Sequence, residues 1–200
     1  YKTYYVGKPP LLWHHKKALN YLKAHFSSRR VLDFGCFDGF FTNKLVNANI
    51  DAYGCDWNRS AIDFGREAYD LRSRLSLSPE GIYDAIVALE VIEHFPDPNE
   101  FLDVVLPHLA LDGALLLSCP NKNSVYRLKT DAPPHHFSRF SQRSLSALLV
   151  RHGMKVEIQE REMSSFQLLR NFIGDSLRQD APLLDKCVET KLTDERMRSF

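Results

Sequence analysis

The sequence lacks the marks of a disulfide-built, membrane-spanning or strongly charged protein. It holds four cysteines, Cys36, Cys55, Cys119 and Cys187, with no C-x-x-C pair and no disulfide framework among them. That usage points to a reducing, cytoplasmic setting. No apolar run reaches the roughly 20 residues of a membrane span, and the N-terminus has no signal-peptide hydrophobic region. Charge of one sign is missing as well: 26 Lys plus Arg against 25 Asp plus Glu give a net charge of +1. So small a net charge gives no general attraction to nucleic acid or anionic lipid. There is no internal repeat and no low-complexity segment. What is present is 44% hydrophobic content in 200 residues, which suits one globular domain with a full core. The chain begins at Tyr1 rather than Met and so reads as a trimmed or excised segment.

The most informative stretch is Val31-Leu32-Asp33-Phe34-Gly35-Cys36-Phe37-Asp38-Gly39. Val31 to Phe34 read as a short buried strand, and Thr42 to Ala48 continue as an amphipathic helix. A strand, a tight glycine turn and a helix N-terminus make the nucleotide-binding corner of a doubly wound sheet. A dinucleotide fingerprint runs G-x-G-x-x-G, because a diphosphate lies against the helix N-terminus. Here the pattern is Asp33-x-Gly35-x-x-x-Gly39, with a second acid at Asp38. A carboxylate at the strand tip repels a diphosphate and suits a ligand that carries positive charge. S-adenosylmethionine, with a sulfonium and an amino group, is such a ligand.

This stretch resembles the first motif of class I S-adenosylmethionine-dependent methyltransferases. The resemblance implies an α/β, doubly wound, Rossmann-like fold with a mostly parallel sheet and helices on both faces. It also implies that Asp33, Gly35, Cys36, Phe37 and Gly39 run beneath the methionine portion of the donor. Asp51 to Cys55 read as the second strand, ending at Asp56, twenty-one residues beyond Gly35. That is close to the spacing of about 20 at which an acid meets ribose hydroxyls in such folds. The alternative reading makes Asp56 the cap of a helix starting near Ser60. Trp57 follows, placed to lie against the adenine face.

The helix Ser60 to Tyr69 is followed by a stretch too short for a full crossover, so the third strand, Leu75 to Leu77, is expected to have a reduced or missing helix after it. Ile82 to Leu89 form an almost continuously apolar central strand. It runs into Glu90-Val91-Ile92-Glu93-His94-Phe95-Pro96-Asp97. This pairing resembles the fourth strand and following loop of methyltransferases of the ubiquinone-biosynthesis O-methyltransferase-like group, which implies that Ala88, Leu89 and Glu90 line the donor's opposite wall. Further on, a helix is expected over Asn99 to Leu109, a strand over Gly113 to Ser118, a helix from Ser141 to His152 and a strand over Met154 to Gln159.

Residues 1–27 read as an arm and a helix, in which Leu12, His15, Leu19, Leu22 and Phe26 recur at helical spacing. Tyr4, Tyr5 and Trp13 are candidates to face the donor or the acceptor, with ordinary packing as the alternative. Residues 28–160 are the methyltransferase domain. Residues 161–200 read as a helical extension or insertion over the site, with helices at Phe166 to Leu177 and Leu183 to Met197 and no seventh strand.

Methyl transfer is an in-line displacement, so the protein mainly positions its reactants and excludes water. A base is needed only where the acceptor holds its proton tightly. The N-P-P-Y-type signature of amide- and base-methylating enzymes is absent after the fourth strand, which favours an oxygen of a small-molecule acceptor. His94 and His136 are the candidate bases, since an unperturbed imidazole titrates near pH 6.5. The alternative for His94 is a loop-fixing hydrogen bond, and for His136 a surface position.

No metal is assigned as the main reading. Glu90-x-x-Glu93-His94 with His135 or His136 nevertheless resembles the cation site of small-RNA 2′-O-methyltransferases, which keeps a metal-assisted reading open. Lys122, Arg127, Lys129, Arg139, Arg143 and Arg151 read as a solvated face, with an acidic substrate or RNA as the alternative. A donor-binding module without turnover is the competing class. Because the core motifs supply few acceptor contacts, residues 1–15, residues 121–140 and the segment after 160 are expected to close over the donor.

Overall fold

A computed structural model describes residues 10–123, 132–159 and 187–192. The core begins where apolar residues are most continuous. Strand β1 (Arg30–Phe34) and strand β4 (Tyr83–Leu89) are buried on both faces and pair in parallel through Val31–Ala85, Leu32–Ile86 and Asp33–Val87. Strand β2 (Asp51–Cys55) pairs with β1 on its other side, and the two-residue strand β3 (Leu75–Ser76) with β2. Between β3 and β4 there is no helix, as the short connection requires. Strand β5 (Leu109–Ser118) lies parallel to β4.

Helices cover this sheet because their sequences are amphipathic and well capped. They are α1 (Trp13–His25), α2 (Phe40–Val46), α3 (Arg59–Ala68), α4 (Pro98–Val105) and α5 (Gln142–Arg151). Asn58 caps α3 by accepting from the Ala61 N–H, Asp97 caps α4 with Pro98 following, and Ser141 with Ser144 forms a capping box on α5. One apolar cluster packs around Ile86, Phe101, Leu115 and Leu149. A second joins Leu22, Phe41, Leu45 and Val87, and a smaller third joins Cys36, Ile62, Leu71 and Leu75.

The sheet has seven strands in the order β3-β2-β1-β4-β5-β7-β6, and this corrects the expectation of no seventh strand. Strand β7 (Cys187–Leu192) enters between β5 and β6 (Met154–Gln159), antiparallel to both. It takes the place of the helix expected over that stretch. An antiparallel strand returning after a long excursion carries no βα signal next to it in the chain, so local pattern did not reveal it. The helix expected at Phe166 to Leu177 lies outside the described residues.

Two other expectations shift. The helix expected to reach Leu109 ends at Val105, passes through a 3₁₀ turn at Leu106–His108 and becomes β5 at Leu109. Pro107 explains it, because its ring and missing N–H stop an α-helix. In α1 the buried face carries His14, Ala18 and Leu22, whereas Leu12 is exposed and His15 and Leu19 are half-buried.

Gly65 shows how tightly α3 is held to the glycine turn. A Cβ there would stand 1.8 Å from the Asp38 carbonyl oxygen, which is backbone and cannot step aside. Gly65→Ala is therefore expected to cost about 2–3 kcal/mol of stability by overpacking. Urea unfolding checks it, and an unchanged midpoint would contradict the packing described.

Candidate active site

At the C-terminal end of β1 the chain turns through three left-handed residues, Gly35 (φ 75°), Phe37 (φ 53°) and Gly39 (φ 75°). Glycine suits Gly35 doubly, since a Cβ there would meet a Val91 methyl at 2.6 Å. The Gly35 N–H donates to the Cys55 carbonyl (2.8 Å), which ties the turn to the end of β2.

Asp56 stands just beyond β2. Its carboxylate accepts from the Phe37 N–H (3.0 Å) through one oxygen and from the Asn58 N–H (2.8 Å) through the other. Helix α3 is capped by Asn58, not by Asp56. Each Asp56 oxygen keeps acceptor capacity beyond its single backbone bond, so the group is pre-oriented to receive two hydroxyls.

Asp33 is buried and accepts from the Thr42 hydroxyl at 2.7 Å. Burial raises its carboxyl from 3.8 to about 7 against the lowering effect of Thr42, with Asp56 and Asp38 raising it further. A carboxyl raised on folding contributes stability that is full below its unfolded value and is lost as pH rises through about 7. Asp33→Asn is therefore expected to gain thermal stability relative to the parent as pH rises from about 5 to about 8. Parallel melting-temperature curves for the two proteins would refute this.

Two cavities open on this corner. The larger, about 660 Å³, is bounded by Asp56, Trp57, Ser78, His94 and Phe137. The smaller, about 410 Å³, is bounded by His15, Asp33, Cys36, Asp38, Phe41 and Leu89. Gly35, Phe37 and Glu90 line both, so the two cavities meet at these residues. Glu90 is itself left-handed (φ 58°). Its N–H donates to the Ser118 carbonyl (3.0 Å), and its carboxylate accepts from the Ser118 hydroxyl (2.7 Å). A non-glycine residue held in this conformation is a feature of functional sites.

Most residues singled out in the sequence meet here. Asp33, Gly35, Cys36, Phe37, Asp56, Trp57, Leu89 and Glu90 line one cavity or both, and Gly39 closes the turn beneath them. Trp57 is 74% exposed, with its ring 5.7 Å from that of Phe95. Ala88 is fully buried and lines neither cavity, because its side chain points into the apolar cluster beneath the strand. The Cys36 thiol is pushed up by burial, foremost, and by Asp33, which leaves it inert.

His94 lines the larger cavity, and His136, 42 positions further along the chain, meets its ring but lines neither cavity. Their ring centroids are 4.8 Å apart, edge to face. His94 Nδ1 lies 2.7 Å from the His135 carbonyl oxygen. A carbonyl only accepts, so Nδ1 carries the hydrogen and Nε2 presents its lone pair. The fully buried Glu93 anchors the same loop, its carbonyl accepting from the Phe137 N–H (2.8 Å). Glu93, His94 and His136 each offer one ligand atom, all within 4.8 Å of one another. Glu90 stands outside this group.

Sequence reasoning placed His15 within the segment 1–15 expected over the donor but did not single it out, and it missed the Ser78–Pro79 wall. His15 was assigned to the packed face of α1, and nothing local marks it as cavity-lining. Of the other arm candidates, Trp13 is half-buried and lines neither cavity, and Tyr4 and Tyr5 lie outside the described residues.

The sheet order, with a single antiparallel strand and a site at the C-terminal ends of β1, β2 and β4, defines a Rossmann-like class I methyltransferase fold. Residues 12–159 match a family described as a methyltransferase domain, and the chain belongs to that family. It is 25% identical over 165 residues to the mitochondrial ubiquinone biosynthesis O-methyltransferase of Schizosaccharomyces pombe, covering 76% of this chain and 58% of that protein. It is 27% identical over 152 residues to a probable S-adenosylmethionine-dependent methyltransferase of Mycolicibacterium smegmatis, covering 72% of this chain and 58% of that protein. The chain thus spans about half to three-fifths of the length of the curated relatives it matches.

Similar solved structures include an S-adenosylmethionine-dependent methyltransferase of Mesorhizobium loti (TM-score 0.65, 15% identity, 89% of this chain and 97% of that one). Another is the O-methyltransferase of a trans-AT PKS multienzyme of Brevibacillus brevis, crystallised with S-adenosyl-L-homocysteine (TM-score 0.64, 16% identity, 91% of this chain and 72% of that one). At these identities the structures support the fold alone.

Proposed function

We propose that the protein is an S-adenosylmethionine-dependent methyltransferase acting on an oxygen of a small-molecule acceptor. The observation that carries this reading is the pair of joined cavities, with Asp56 pre-oriented in the larger and the acids Asp33 and Asp38 in the smaller. The adenosine lies in the larger cavity with its ribose hydroxyls on Asp56. The methionine portion lies in the smaller, and the sulfonium sits where the two meet. An oxygen acceptor is supported by the O-methyltransferase relatives and by the missing N-P-P-Y-type signature.

Bound there, the donor supplies an electrophilic methyl carbon and leaves as the neutral thioether S-adenosylhomocysteine. His94 Nε2 takes the acceptor's hydroxyl proton as the oxygen pair attacks, and the imidazolium is stabilised through Nδ1–H by the His135 carbonyl. Phe137, Pro134 and Phe95 give this part of the cavity apolar walls that limit water. In this reading residues 10–15, 121–123 and 132–140 close over the bound donor; the rest of residues 1–15 and 121–140 and the segment after 160, apart from β7, lie outside the described residues. Pro10 and Leu12 at the smaller cavity, and Pro134 and Phe137 at the larger, support it.

A screen of phenolic and sugar hydroxyl acceptors, reading S-adenosylhomocysteine release, tests the assignment. Release that depends on an acceptor hydroxyl supports it, and turnover only with amines or carbon nucleophiles would redirect it. The near-zero net charge argues against a nucleic-acid acceptor. Among the described residues, Cys36, Cys55 and Cys119 are buried free thiols. Among the described residues, no helix is long and apolar enough to cross a membrane.

The Glu93–His94–His136 group favours a second reading, in which a divalent cation assists the transfer. One carboxylate and two imidazoles fit a borderline cation such as Mn²⁺ or Zn²⁺, and His94 already has the Nδ1–H partner usual behind a metal-bound imidazole. A cation held there would lower the acceptor hydroxyl's proton affinity. On this reading EDTA abolishes turnover and Mn²⁺ restores it; undiminished turnover in EDTA would leave His94 as the base alone.

A further inference from the structure

The net charge of +1 hides an uneven distribution along the chain. Residues 1–50 hold eight Lys plus Arg against two acids, and those two, Asp33 and Asp38, are buried. The surface that residues 10–50 present is therefore cationic, with no exposed acidic side chain. From residue 75 to residue 121 the balance reverses, with eight Asp plus Glu and no Lys or Arg.

Each run gathers on one helix face. On α1, Lys16, Asn20 and Lys23 recur at helical spacing and are exposed, and Leu12 (43% exposed) stands one turn ahead of Lys16. On α4, Asp97, Glu100 and Asp103 stand three residues apart and are exposed, and Val104 (42% exposed) stands one turn after Glu100. Leu12 to Lys16 and Glu100 to Val104 are equal steps, about 6 Å along a helix axis. Laid antiparallel, the two helices match Leu12 to Val104 and Lys16 to Glu100, while Lys23 reaches toward Asp97 on its four-carbon stem.

The two faces cannot meet within one molecule. Helix α1 packs through Ala18 and Leu22 in the cluster of Val87, and α4 through Phe101 and Leu102 in the cluster of Ile86. Ile86 and Val87 are neighbours on β4, so their side chains point to opposite faces of the sheet. A twofold pairing of like faces would set lysine on lysine or acid on acid. Only a head-to-tail arrangement of copies brings the opposite charges together.

We propose that the α1 face docks on the α4 face of a second copy of this chain, head to tail, with Lys16 against Glu100 and Leu12 against Val104. Exposed ion pairs are individually weak and screened by salt, so the association is weak, reversible and sensitive to ionic strength. Helix α5 shares the sheet face of α4 and exposes Arg143 and Arg151, which repel the incoming lysines and leave α4 as their partner. Leu12 borders the smaller cavity and Val104 the larger, so each contact lies beside the sites of two adjacent copies. The contact does not depend on what those cavities bind.

Sedimentation velocity of the full chain tests this. The sedimentation coefficient should rise with protein concentration at about 50 mM salt, and the association should weaken about tenfold or more at about 500 mM, where screening is short-ranged. Lys16→Glu and Glu100→Lys should each weaken it by about tenfold at the lower salt, because either reversal sets like charges face to face. The double variant has the net charge of the parent and should return to within about threefold of the parent's association. Circular dichroism confirms that these surface variants are folded. A parent chain that stays monomeric at low salt overturns the proposal and leaves both faces to other partners. Self-association that neither reversal weakens, or single losses that the double variant does not recover, overturns it too, since the contact then lies elsewhere.

Discussion

His94→Ala is expected to lower kcat by about a hundredfold to ten-thousandfold with the acceptor found in the hydroxyl screen, the usual range for a lost general base. Donor affinity should be unchanged, because the proposed donor contacts are made by Asp56 and the glycine turn and not by His94. The two roles of His94 can be separated. Its Nδ1–H holds the His135 carbonyl and with it the loop that carries His136 and Phe137. Its Nε2 is the atom proposed to take the proton. His94→Asn can keep an N–H toward the carbonyl while offering no basic nitrogen, so a loop-fixing role predicts near-normal kcat for Asn and a low value for Ala. A catalytic role predicts low kcat for both. His136→Ala should fall less, by about tenfold, because His136 lines neither cavity and meets the His94 ring edge to face.

The second large effect is expected at Asp56. Asp56→Ala should weaken S-adenosylhomocysteine binding by about tenfold to a hundredfold, since charge-assisted bonds to both ribose hydroxyls are lost. The substitution also removes the acceptor of the Phe37 and Asn58 N–H groups, so part of the loss comes through a looser glycine turn. Asp56→Asn separates these contributions. It keeps one carbonyl acceptor but replaces the other with a donor, which the ribose and the backbone N–H groups each resist. Its loss should therefore approach that of Ala. Calorimetry on folded variants decides, and full affinity in Asp56→Ala would remove Asp56 from the donor site.

These expectations were readable in the sequence to different depths, for physical reasons. The glycine turn at the end of β1 was legible because its geometry is local. Asp33, Gly35 and Gly39 stand within seven residues, and the need for left-handed backbone at a turn selects glycine. That Asp56 stands beside the glycine turn was legible, because β2 pairs in register with β1 and ends next to it. The missing helix after β3 was legible from chain length alone. Contacts made by loops were legible only in part. That His94 and His136 meet follows from the hydrogen bonds of the Phe137 and Ser138 N–H groups to Glu93, which no spacing encodes. Strand β7 was not legible, since its partners are set by a return from far along the chain. The face of α1 was misread because His14, a polar residue, is buried while Leu12 is exposed. His15 was hidden by the same error, placed in the core when it borders a cavity.

A crystal structure of the protein with S-adenosylhomocysteine bound tests the central claim most directly. The account predicts one ligand spanning both cavities, with its ribose hydroxyls within hydrogen-bond distance of Asp56 and its sulfur beside Gly35 and Glu90. The amino-acid end should lie in the smaller cavity, with the ammonium toward Asp38. A ligand that leaves the smaller cavity empty, or whose ribose turns away from Asp56, would contradict it.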